Sequence, residues 1–145
     1  MKYLIHLQHS VFINKARDIV WDFTQDYSKR PRWDNAIKEA MVLDDSEEKR
    51  IQIRGSGFSA VFVNKLFRVP EKTTLQMIDI QSPLIESGGG SWTYESKDEG
   101  TIWTQSNSIV LKKSILAGVF LPIIRLALMY QLKEAMSKAK QMIES

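Results

Sequence analysis

Alternating apolar and polar positions dominate the first two-thirds of the chain, and they predict strands. In residues 2–13 most apolar side chains share one parity, with Leu4 and Phe12 on the other, which is the pattern of a half-buried strand. Six more segments of strand character follow, joined by short turns: residues 36–43, 49–54, 58–69, 73–81, 91–96 and 101–112. No helical pattern separates these six segments, so they predict an antiparallel sheet rather than a parallel sheet with crossover helices.

The period changes between the first two strands, where apolar residues recur at helical spacing: Ala16, Ile19, Val20 and Phe23. This pattern predicts a short helix within residues 14–26, with Asn14 as its N-cap. Residues 28–33 add a second short helical turn. Pro31 limits the length of that turn, because its ring fits only at the start of a helix.

The last segment is a long helix that reaches the end of the sequence. Its second half is amphipathic, with apolar residues at steps of three and four: Leu132, Ala135, Met136, Ala139, Met142 and Ile143. Residues 115–129 are apolar nearly all round. Pro122 leaves two alternatives, since it removes a backbone donor. Either the helix begins near Leu121, or a helix that begins earlier is kinked at the proline.

The strands before this helix form a hairpin whose register follows from its turn. If KDEG is a four-residue loop, the facing pairs are Ser96 with Thr101, Tyr94 with Trp103, Trp92 with Gln105, and Gly90 with Asn107. One face then carries three aromatic rings and two amides, and we expect it to point at the C-terminal helix. A buried amide without partners costs about 1–3 kcal/mol. Gln105 and Asn107 therefore bond each other, bind water or contact a ligand.

Length and composition narrow the class of protein. A chain of 145 residues fits one domain, residues 1–145. It has no cysteine, which excludes disulfides, thiolate metal sites and cysteine nucleophiles. The net charge of +3 is too small and dispersed to predict a nucleic-acid partner. Polar residues interrupt the apolar N-terminus, so we expect no signal peptide and a cytoplasmic protein. We expect this protein to be a monomer or a weak dimer.

The titratable residues do not form a recognisable catalytic set. The two histidines, His6 and His9, lie an odd number of residues apart on one strand and so point to opposite faces. We therefore predict no metal site, no cofactor and no catalytic residue, with His9 as a hydrogen-bonded core residue. Asp79 alternates with apolar residues and is a candidate cavity-facing base, although an outward orientation is favoured.

Three stretches together resemble the helix-grip group of START-like domains, polyketide cyclases/dehydrases and related lipid-transport proteins. They are HSVFINKARDIVWDFTQDYSKRPRWDNAI, the WTYESKDEGTIWT hairpin and the C-terminal helix with its alternating basic and apolar residues. The resemblance covers the whole chain through the order of its elements. It implies an α+β fold in which a curled seven-stranded antiparallel sheet wraps around the C-terminal helix, with two short helices after the first strand. It also implies a cavity for a small hydrophobic ligand.

The favoured hypothesis is a carrier of a lipid, polyketide, quinone or other aromatic molecule. Its cavity is predicted to be bounded by the sheet, by the helix and, at the mouth, by Trp33. The sheet residues are Trp92, Tyr94, Trp103, Gln105 and Asn107, and the helix residues are Phe120, Ile123, Ile124 and Ala127.

Two other functions stay open. The first is a polyketide cyclase or dehydratase that uses the same cavity, which would need an acid or base on the wall. The second is a protein-interaction module with a filled core. Contact of the basic C-terminal helix with an anionic membrane is a less favoured alternative to a solvated helix face.

Overall fold

The computed structural model describes residues 3–46 and 48–145, which form one curled seven-stranded antiparallel sheet with a long helix across it. The strands are β1 (Tyr3–Ile13), β2 (Ile37–Asp44), β3 (Glu48–Gly55), β4 (Phe58–Arg68), β5 (Lys72–Gln81), β6 (Ile85–Lys97) and β7 (Gly100–Leu111). The helices are α1 (Arg17–Thr24), α2 (Arg30–Trp33) and α3 (Ile115–Glu144). The strand order is β1-β7-β6-β5-β4-β3-β2. The predicted α+β helix-grip architecture is confirmed.

The starts of two helices differ from the sequence prediction. The helix α3 begins at Ile115, where the hydroxyl of Ser114 caps it by accepting a bond from the Ala117 amide at 3.0 Å. The alternative in which this helix starts near Leu121 is therefore wrong, and Pro122 lies inside the helix. Asn14 does not cap α1. Its backbone N–H donates instead to Glu144 at 2.8 Å, which ties the end of β1 to the end of α3.

The predicted hairpin register is confirmed at each of its four pairs. The connection is shorter than predicted, because Lys97 and Gly100 also pair and leave Asp98 and Glu99 as a two-residue turn. Asp98 has a φ of 54°, a left-handed conformation that aspartate tolerates in tight hairpin turns. The strand β6 also begins at Ile85, earlier than the predicted residue 91.

The aromatic face of this hairpin points at α3, as predicted, and forms the main core. Trp103 is completely buried, and its ring lies 5.4 Å from that of Trp92 and 5.6 Å from that of Trp33 on α2. The second half of α3 covers this cluster with Leu132, Ala135, Met136 and Ala139. The two short helices and the long helix therefore meet on one pair of strands.

A buried hydrogen-bond network fixes α1 against the sheet. The Tyr94 hydroxyl lies 2.6 Å from the Thr24 hydroxyl and accepts a bond from the Gln25 amide at 3.0 Å. Asn64 on β4 donates to both Gln25 and Tyr27, at 2.8 and 3.1 Å. Burial raises the pKa of the Tyr27 and Tyr94 hydroxyls, so both stay protonated at neutral pH.

The packing of the central tryptophan predicts a large loss of stability on truncation. Trp103→Ala is expected to lower the free energy of unfolding by about 3–5 kcal/mol, because it empties a closed site among three other rings. Tyr130→Ala is the control, since that ring is 69% exposed on α3. It is expected to change the free energy by less than about 0.5 kcal/mol. Equal losses in denaturant titrations of the two variants would contradict this packing.

Candidate functional site

A cavity of about 170 Å³, partly open to solvent, lies between the concave face of the sheet and α3. Most of its wall is apolar: Leu7, Ala36, Phe62, Leu75, Met77, Gly89, Trp92, Ile109, Leu128, Leu132 and Ala135. The polar residues on the wall are Arg30, Asp34, Gln105, Asn107, Ser108 and Gln131. Its volume is close to that of a cavity of about 150 Å³ that holds one benzene molecule.

The six residues predicted for the sheet and the mouth divide into two layers. Trp92, Gln105 and Asn107 lie on the cavity wall. Three others are buried behind it and take no part in the wall: Trp33, Tyr94 and Trp103. Their rings support the wall from behind, since those of Trp33 and Trp103 lie within 6.1 Å of the Trp92 ring.

The four residues predicted for the helix side lie elsewhere. Phe120, Ile123 and Ala127 are exposed, and Ile124 packs against the core without reaching the wall. The helix contributes Leu128, Gln131, Leu132 and Ala135 instead. Apart from Arg125, residues 115–129 are apolar all round, so the sequence gives little signal of which side of the helix is buried.

A buried arginine that the sequence analysis did not select lies at one end of the cavity. Arg30 Nε donates to Asp34 Oδ2 at 3.0 Å, its Nη2 lies 2.9 Å from the same oxygen in an ion pair, and both side chains are largely buried. Its guanidinium carbon lies 4.7 Å from the centre of the Trp33 ring and 5.0 Å from that of Trp92. Such cation–π contacts are worth about 2 kcal/mol when desolvated. The charge is held between a carboxylate and two indole rings.

Arg30 was missed because charged residues are rarely buried. The one local signal is its spacing from Asp34, since positions four residues apart face each other on a helix. That spacing predicts that Arg30 and Asp34 form an ion pair, but it does not predict that the pair is buried. The burial depends on Trp92, which is distant in sequence and reaches Arg30 only through the packing of β6 against α2.

Several buried hydrogen-bond donors in the site and behind it lack a partner. Four buried nitrogen atoms have no partner among the residues that the structure describes: Arg30 Nη1, Trp33 Nε1, Trp103 Nε1 and Gln105 Nε2. The first and last belong to side chains on the cavity wall. The Gln105 oxygen already accepts a bond from the Asn107 amide at 3.0 Å. An unsatisfied buried donor costs about 1–3 kcal/mol, so these donors favour an acceptor inside the cavity.

The acids have little scope to act as bases. Asp34 Oδ2 accepts a bond from Arg30 Nε and forms an ion pair with Arg30 Nη2, and its Oδ1 accepts a bond from the Ala36 amide at 3.1 Å. Asp79, the candidate base, is exposed with a φ of 49° at a register shift between β4 and β5. A β-bulge of this kind breaks the alternation of side chains, and Asp79 has the favoured outward orientation, away from the cavity wall.

The histidines lie away from the wall. His6 bonds the Ser108 hydroxyl at 3.0 Å on the exposed side of β1. His9 is half-buried, and desolvation together with the charge of Lys133 lowers its pKa. Among residues 3–46 and 48–145, no group of three or more acids and histidines could hold a metal ion.

Gly90 packs so closely against the Gln105–Asn107 amide pair that a side chain at this position is predicted to disturb the pair. A Cβ there would overlap the carbonyl oxygen of Ser106 and the side-chain oxygen of Asn107. Gly90→Ala is therefore expected to lower the free energy of unfolding by about 1–3 kcal/mol and to shift the side-chain amide resonances of Gln105 and Asn107. Ser91→Ala is the neighbouring control, expected to change stability by less than about 0.5 kcal/mol. Unchanged amide resonances in Gly90→Ala would contradict this packing.

The fold is that of known proteins, although the sequence matches none of them closely. No family model and no curated protein sequence matches the chain. The solved structures similar to it include the Zhui aromatase/cyclase from Streptomyces sp. R1128, with a TM-score of 0.83 and 12% identity over 97% of this chain and 94% of that one.

Two other solved structures give the same result. A protein from Thermus thermophilus has a TM-score of 0.83 at 10% identity, over 95% of this chain and 96% of that one. A START superfamily protein from Mycobacterium smegmatis has a TM-score of 0.74 at 12% identity, over 97% of both chains. At these identities the likeness shows the fold.

Proposed function

We propose that this chain, which has the START-like and polyketide-cyclase-like helix-grip fold, is a cytoplasmic carrier of a small hydrophobic molecule with one hydrogen-bond-accepting group. The observation that carries the proposal is that Arg30 and Gln105, whose buried Nη1 and Nε2 atoms have no hydrogen-bond partner, both line a mostly apolar cavity. Apolar walls supply the affinity, while a few placed polar groups orient the ligand.

The dimensions of the cavity set the class of ligand. A volume of about 170 Å³ accommodates one aromatic ring with a small substituent or the end of an acyl chain. A larger polyketide or lipid would have to extend through the opening near Gln131. The acceptor on the ligand would be a carbonyl, phenolate or carboxylate oxygen, because both Arg30 and Gln105 present N–H groups.

The cavity and the residues that line it favour a carrier over the two alternatives. A cyclase or dehydratase needs a free acid or base within reach of its substrate. The one carboxylate on the wall, Asp34, has both oxygens engaged. A protein-interaction module was expected to have a filled core, and the cavity counts against it.

Two matched probes test the proposed ligand class. Acetophenone and isopropylbenzene have similar shapes, but only acetophenone carries a hydrogen-bond acceptor. The purified protein is expected to bind acetophenone about tenfold more tightly or better, because its oxygen satisfies a donor that isopropylbenzene leaves unpaired. Calorimetric titration measures both affinities, and the summed fluorescence of the four tryptophans, of which Trp92 lines the cavity, gives a second readout.

The substitution Gln105→Leu should reduce this preference while keeping the affinity for isopropylbenzene. Gln131→Leu is the matched control, since this exposed amide lies at the rim of the same cavity. It should leave the preference unchanged. Native mass spectrometry of the freshly purified protein should also detect a bound small molecule. Equal affinities for the two probes, or binding of neither probe and no co-purified molecule, would refute the proposal.

A further inference from the structure

The outer face of α3 changes character halfway along the helix. Over residues 115–130 the outward positions are apolar, and six of them are 45–72% exposed: Leu116, Val119, Phe120, Ile123, Leu126 and Tyr130. We call these six residues the outer apolar face. Over the next turns the same side of the helix is polar and solvated, with Lys133, Glu134, Ser137, Lys138 and Gln141. A large exposed apolar patch in a folded protein marks an interaction site.

The opposite side of this half-helix holds it along the sheet. Ala117 is buried, and Gly118 lies so close to Tyr3 on β1 that an added Cβ would be 3.1 Å from the phenol oxygen. The helix is long and apolar enough to cross a membrane by length and composition, and only 11% of its most apolar window is buried. Because one side is docked, and residues 115–130 span only about 24 Å at about 1.5 Å per residue, the geometry fits a helix lying in an interface.

The charges around the outer apolar face are basic. No acidic residue occurs between Gly100 and Lys133 in the sequence, whereas Lys112, Lys113 and Arg125 fall in that interval. Lys112 belongs to this end of the molecule, since its backbone N–H donates to Leu84, another partly exposed apolar residue. The one acid near it on the paired strand is Glu86, which follows Ile85 opposite Leu111. The excess of basic over acidic residues near the outer apolar face favours an anionic partner.

We propose that the outer apolar face of α3 docks onto the surface of an anionic lipid bilayer. Its side chains would enter the boundary between headgroups and acyl chains, and the flanking cations would contact the headgroups. A helix with these two features binds at the interface plane, and each basic residue near an anionic surface adds to the attraction. The docking does not require the cavity to be occupied.

A second copy of the chain is a poorer occupant of this face. In a symmetric pair the basic flank of one protomer would lie against the basic flank of the other, because the same patch is used twice. Like charges placed together oppose association. An anionic bilayer offers apolar cover and the complementary charge at once.

Vesicle flotation tests the docking with the unmodified full-length chain and three double variants of it. The vesicles are phosphatidylcholine alone and phosphatidylcholine mixed with phosphatidylserine. The unmodified protein is expected to float with the mixed vesicles. The paired change Ile123→Ser and Leu126→Ser should weaken partitioning about tenfold or more, because two exposed apolar side chains are lost. The pair Lys113→Gln and Arg125→Gln should weaken binding to the mixed vesicles about tenfold and leave binding to neutral vesicles little changed.

The matched control removes exposed apolar side chains from the far edge of the sheet. Met41→Ser with Leu43→Ser on β2 should float like the unmodified protein. Circular dichroism verifies that all variants are folded. Failure of the unmodified protein to float, or flotation that the Ile123 and Leu126 changes leave intact, would overturn the proposal. A dimer detected by light scattering and lost in that same variant, without flotation, would assign the face to a second copy.

Discussion

The rest of the structure depends on the contact between Trp33 on α2 and the paired rings of Trp92 and Trp103 on the β6–β7 hairpin. The three rings meet at centroid distances of 5.4–6.1 Å in tilted and edge-to-face arrangements, which aromatic pairs prefer. This contact draws the short helices onto the concave face and gives the second half of α3 a surface to cover. It also supports the cavity wall from behind, because Trp92 belongs both to this core and to the lining of the cavity.

The same contact allows an arginine to be buried. A desolvated guanidinium is tolerated only when a carboxylate and further bonds compensate it. Asp34 and the indole rings provide most of that compensation for Arg30. Two nitrogen atoms are left without an acceptor, Nη1 of Arg30 and Nε2 of Gln105. The polarity of the cavity is thus a consequence of how the core is built, and it is the basis for proposing a ligand with a hydrogen-bond acceptor.

The parts of the molecule that the sequence predicted are those governed by local rules. The hairpin register follows from the alternation of side chains and the position of one turn, and all four predicted pairs are present. The helix side of the cavity could not be predicted, because residues 115–129 offer no polar side to mark the exposed face. Arg30 was missed for a related reason, and the sequence left two orientations open for Asp79, of which the favoured outward one is observed. Arg30 is buried by rings distant in sequence, and Asp79 is turned outward by a bulge that no local pattern announces.

The helix α3 joins the cavity to the surface of the molecule. Its second half is an ordinary core helix, buried on one side and solvated on the other. Its first half packs against the sheet on one side and is apolar on the other. In water this arrangement leaves apolar surface exposed, which is unfavourable. Leu128 and Gln131, which line the cavity, lie where the two halves meet. A bilayer covering the first half would therefore lie next to the cavity wall, and a hydrophobic ligand could pass between lipid and cavity without crossing water.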